Sequence, residues 1–149
     1  MSPTERTLRT LHTQIEFEML QAAATAAQAT ARVNDLQTEV LAGTRSCKAT
    51  ALGLNAALQR PLLNPALLID VHRAYWRQSS DVLLHREQLS QVFVSEDLAR
   101  KELHRLQVEL RALEQMQRNE SKKVRALHEA LEAVRADDLW LQRARWADR

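Results

Sequence analysis

Apolar and small residues recur along this chain at alternating intervals of three and four, in two runs with one interruption between them. The first run is Leu8, Leu11, Ile15, Met19, Ala22, Ala26, Ala29, Val33, Leu36, Val40, Gly43, Cys47, Thr50, Leu54 and Ala57. This is the seam of a heptad helix, with the two successive fours at Leu11, Ile15 and Met19 read as a stutter that locally unwinds a supercoil. The second run starts at Leu68 and keeps one register through Val71, Tyr75, Val82, Leu89, Val92, Ala99, Leu103, Leu106, Leu110, Leu113, Val124, Leu127, Leu131, Val134 and Leu141. Polar residues fall at its remaining seam positions, Gln78, His85, Glu96, Gln117, Glu120 and Asp138. No proline or glycine interrupts it.

The interruption is Arg60-Pro61-Leu62-Leu63-Asn64-Pro65. Proline inside a helix removes a backbone donor and clashes with the preceding turn, and the residue before it is pushed out of helical geometry. Asn64-Pro65 then reads as a restart, an N-cap side chain followed by proline at the first helical position. Ser2-Pro3-Thr4-Glu5 reads the same way at the other end of the first run, as a capping box. The pattern therefore predicts an all-α fold, an antiparallel two-helix coiled-coil hairpin with a longer second helix. It is a single domain over residues 1–149, with the first arm at 3–60, the turn at 61–64 and the second arm at 65–147. Acid-first pairs four apart, Glu96/Arg100, Asp97/Lys101 and Glu114/Arg118, support the second helix.

Two places in the first arm strain this reading. Ala22, Ala26 and Ala29 make a thin seam that lets a partner helix approach closely. Glycine costs about 1 kcal/mol in a helix interior. Gly43 lies on the seam, where close packing accounts for it, although Gly43-Thr44-Arg45-Ser46 is also the alternative place for the helix to break. Gly53 lies off the seam and has no such account.

The arms are unequal. At 1.5 Å per residue the first would span roughly 85 Å and the second roughly 120 Å. Counting outward from a turn near Leu63, the first arm runs out opposite about residue 122 by the same geometry. Beyond it Val124, Leu127, Leu131, Val134 and Leu141 continue an apolar stripe with no chain left to cover them, and Trp140 and Trp146 share that overhang. A second apolar group lies off the seam: Trp76, Leu83, Leu84, Phe93, Val94 and Leu98. A two-stranded coil cannot bury it, so it is either a partner site or a place where a further helix packs. The candidate partner-binding residues are thus Val124, Leu127, Leu131, Val134, Trp140, Leu141 and Trp146, with Trp76, Phe93 and Leu98.

Composition agrees with long helices. Of 149 residues two are glycine, three proline and 4% aromatic, too few aromatics for a large compact core. Acids and bases are interspersed and the net charge is +2. With no basic stripe or stacking aromatics, a nucleic-acid surface is disfavoured. Cys47 is the only cysteine, so no internal disulfide forms, and as a seam residue without a neighbouring His or acid it reads as packing rather than as a nucleophile. No histidines stand three or four apart to make a helical metal pair, and Asp137-Asp138 lacks a third ligand. Gly43 to Thr50 imitates a phosphate loop, but the glycine before Lys48, the hydroxyl after it and a preceding strand are all missing. The expectation is no catalytic residue, no cofactor, no metal and no enzyme activity. No secretory leader or membrane-length apolar run is visible, so the expected setting is the cytoplasm, without membrane insertion.

The two unequal heptad arms, the single mid-chain break, the slight basic excess and the aromatic pair Tyr75-Trp76 soon after the break resemble the stalk proteins of type III secretion systems, the flagellar FliJ and injectisome SctO/YscO proteins. The likeness covers the whole chain and rests on architecture. It implies an accessory protein peripheral to a membrane-embedded secretion machine. Such a protein inserts its paired termini into a hexameric export ATPase and contacts the export gate and secretion chaperones. The competing expectation is a generic cytoplasmic coiled-coil scaffold or dimerisation protein, with homo-oligomerisation through the bare stripe.

Overall fold

The computed structural model describes residues 3–62 and 64–147. Helix α1 runs Pro3–Leu58, 56 residues, and helix α2 runs Pro65–Ala147, 83 residues. The fold is all-α, a helical hairpin whose second helix is the longer. Helix α1 is continuous through Gly43, as the seam predicts, and the alternative break there does not occur.

The turn forms as the prolines dictate. Helix α1 stops at Leu58, two residues short of the boundary expected at Arg60, because Arg60 precedes Pro61 and cannot hold helical geometry. Its last turn closes with Gln59 N–H donating to the Asn55 carbonyl and Arg60 N–H to the Ala57 carbonyl, both at 3.3 Å. The second of these spans three residues, the tightening common at helix ends. Asn64 caps α2 as expected. Its Oδ1 accepts from the backbone N–H groups of Ala66 at 3.1 Å and Leu67 at 3.4 Å, and its carbonyl accepts from Leu68 N–H at 3.2 Å. At the start of α1 the cap assigned to Ser2 lies outside the described residues.

The chain divides into two compact bodies. In the body Leu20–His104 the seam holds Ala26, Val33, Leu36 and Val82 buried, and Leu36 is fully enclosed. The polar seam residues of α2 meet partners on α1. Thr50 donates to Gln78 Oε1 at 2.8 Å, Thr30 donates to Glu96 Oε1 at 3.0 Å, and His85 Nε2 lies 3.5 Å from Glu39 Oε2. Glu96 is 8% exposed, and Arg100 meets the same carboxylate at 2.6 Å. The threonines of α1 divide accordingly. Thr25, Thr38 and Thr44 bond back to the carbonyl four residues earlier, the usual refuge of a helical hydroxyl, whereas Thr30 and Thr50 reach across the seam. Gly43 faces Val82, and a Cβ placed there would stand 2.6 Å from Val82 Cγ2. Close packing is therefore the reason for that glycine.

In the other body, formed by the described residues of Met1–Met19 and Arg105–Arg149, Leu8 and Leu106 are buried. Gln117 Nε2 donates to the Leu8 carbonyl at 3.2 Å, and His12 Nε2 lies 3.8 Å from Glu114 Oε1. Here the expected seam is corrected. Leu11 is 40% exposed, and His12 takes the inward position between Leu8 and Ile15. With His12 in the seam the four–three alternation from Leu8 to Met19 is unbroken, and no stutter is needed. Apolarity alone favours Leu11. The imidazole instead lies between the carboxylates of Glu16, at 3.4 Å, and Glu114. Glu114 accordingly faces His12 rather than Arg118.

Candidate partner interface

The seam of α2 is covered at every expected position from Leu68 to Glu120 and uncovered at Val124. Near that boundary Glu5, Leu8 and Arg9 of α1 line a small polar hollow with Gln117, Glu120 and Ser121, so the first arm runs out where the counting placed its end. Past it, Val124, Leu127, Leu131, Val134 and Leu141 are all exposed, from 42% at Val124 to 66% at Leu127. They sit at a and d positions continuous with those buried nearer the turn, so they form one stripe. Trp140 and Trp146 are exposed too, and Leu139 lines a shallow hollow with Trp146, Gln142 and Arg143. Leu139 has no seam position and escaped the heptad reading.

The off-seam group does not form one patch. With Gln78, Val82, His85, Leu89, Val92 and Glu96 turned to α1, the helical period puts Leu83, Val94 and Leu98 on the far side of α2. Leu84 lies to one flank, and Phe93 lies beside the seam, 43% exposed. All are exposed, but Trp76 is about 33 Å along the helix from Leu98. Trp76 belongs instead to a groove of about 600 Å³ beside the turn, whose walls are Leu54 and Leu58 of α1 and Leu68, Ile69, His72 and Arg73 of α2. Its indole N–H donates to His72 Nε2 at 2.8 Å, and the two rings meet edge to face with centroids 6.0 Å apart. The four-residue spacing of His72 and Trp76 was open to reading in the sequence. The groove was not, because it needs the two helix ends side by side.

Cys47 is half-buried on the seam. Among the described residues no group of three or more His, Cys, Asp or Glu side chains is placed to hold a metal ion, and no helix is long and apolar enough to cross a membrane. No protein-family model, no curated protein and no solved structure matches the chain.

Proposed function

We propose that this protein is a non-enzymatic stalk of a type III secretion export apparatus, linking a hexameric export ATPase to the export gate and meeting secretion chaperones. The observation that supports this reading most is the bare end of α2, five seam residues in register with a buried coil and left in water. Burying an apolar side chain of this size is worth roughly 1.5–3 kcal/mol, so a working state that covers the stripe is strongly favoured over one that leaves it bare. In the stalk reading the covering surface is the inner wall of the ATPase ring. In the scaffold reading it is a second copy, whose stripe has the same heptad spacing.

Leu127→Glu combined with Leu131→Glu tests both. The double variant should keep its helicity and melting temperature, since both side chains are exposed, and should lose retention by the immobilised export ATPase. Retained binding would remove the stripe from the interface. Light scattering on the unmodified chain alone decides the scaffold reading, which requires a dimer mass that the double variant abolishes.

A further inference from the structure

The turn end of the hairpin differs in charge from the rest of the molecule. From Val40 to Ser80 the chain carries Arg45, Lys48, Arg60, Arg73 and Arg77 against Asp70 alone. The mixing of signs that holds elsewhere fails here, a local excess that the net charge of +2 conceals. Among the described residues none of these five cations forms an ion pair, whereas along α2 Arg100 and Lys101 each hold an acid four residues away. In the same segment lies the groove of Leu54, Leu58, Leu68, Ile69 and Trp76, with Arg73 in its wall.

We propose that this groove is a docking site for an acidic amphipathic helix of a partner protein. It would seat the helix's apolar residues between the two helix ends while its carboxylates meet Arg73 and Arg77. Three features favour a helix over the other anionic surface of suitable chemistry, a bilayer. The site is concave and walled from both helices, which fits a row of side chains at helical spacing. The indole is fixed as a wall by its bond to His72, with its N–H already satisfied. An interfacial tryptophan uses that N–H at the headgroup level. Finally, Arg73 stands in the wall of an apolar hollow, with Arg77 one helical turn further along α2, so charge and burial are read together. Nothing in this site depends on the bare end of α2 or on the secretion reading.

Trp140→Phe with Trp146→Phe leaves Trp76 as the only indole of the three. In that background the probe is a synthetic helical peptide with leucines at i, i+3, i+4 and i+7, flanked by glutamates, against its lysine-flanked counterpart. The glutamate peptide should shift Trp76 emission to the blue and bind at least about tenfold tighter than the lysine peptide, the preference expected of complementary charge at a rim. Arg73→Glu with Arg77→Glu should reverse the order. Should that variant lose helicity, Arg73→Gln with Arg77→Gln carries the same comparison and should bring the two affinities together. Equal binding of both peptides, or a preference that survives loss of the arginines, overturns the proposal. So does an emission shift seen only with vesicles of phosphatidylglycerol and phosphatidylcholine, which would assign the turn end, with its exposed Leu62, to a lipid surface.

Discussion

Helix α2 carries one heptad register along two stretches that meet different fates. Between Leu68 and Glu120 the register is covered, and its polar members have partners: Gln78 with Thr50, Glu96 with Thr30, and Gln117 with the Leu8 carbonyl. Between Val124 and Leu141 the same register stands in water. The pattern marks their border only by two successive polar seam positions, Gln117 and Glu120. What separates them is the length of α1. A hydrophobic stripe states that something must cover it, but only the connectivity says whether the cover lies in the same chain.

The sharpest test of this contrast compares one leucine from each stretch. Leu106 is 2% exposed and Leu127 is 66% exposed. Leu106→Ala should cost about 3 kcal/mol in urea unfolding, a lost transfer term plus the cavity left in a thin core. Leu127→Ala should stay within about 0.5 kcal/mol of the parent. Similar losses at both would mean that the stripe is covered in the isolated protein, and the division of α2 would fail.

A smaller effect probes the polar rungs of the covered stretch. Thr30→Val keeps the shape of the side chain and removes the donor to Glu96, a carboxylate buried on the seam. The loss should be about 1–2 kcal/mol, tempered because Arg100 still meets the same oxygen. Thr38→Val removes only a bond to the helix's own Asn34 carbonyl at an exposed site and should be near neutral. Equal melting shifts for the two would show that the rungs add nothing beyond ordinary helix surface.

The sequence made the large features legible because each rests on local chemistry. Two prolines and an N-cap asparagine define the turn, and spacing defines the faces, so the seam of α2 and the end of the covered stretch were readable from arithmetic. What stayed hidden depends on a pairwise choice. Leu11 and His12 compete for one inward position, and apolarity points to the leucine, whereas the fold turns in the histidine, near Glu16 and Glu114. Nor does the order of residues show that Thr50, Glu39 and Thr30 arrive opposite the polar seam positions Gln78, His85 and Glu96. The groove beside the turn was missed because Leu54, Leu58, Leu68 and Ile69 become one surface only when the two helix ends lie side by side.

The smallest expected effect comes from the two glycines, which carry the covered-versus-bare contrast down to one methyl group on α1. Alanine in place of glycine gains about 1 kcal/mol of helix propensity wherever the new Cβ meets no obstacle. At Gly53 nothing lies within 4 Å of that position, so Gly53→Ala should raise stability by up to that amount. At Gly43 the Cβ would stand 2.6 Å from Val82 Cγ2, on a buried β-branched side chain with little freedom to rotate away. Overpacking of this kind costs about 1–3 kcal/mol, so Gly43→Ala should come out neutral to destabilising by about 2 kcal/mol after the propensity gain. Val82→Ala should relieve the clash, making the pair of substitutions less damaging than the sum of the two alone, a coupling that a double-mutant cycle reads directly. Additive effects would mean that α1 and α2 do not meet at Gly43. A stabilising Gly43→Ala would mean the same, and close packing would no longer account for the glycine.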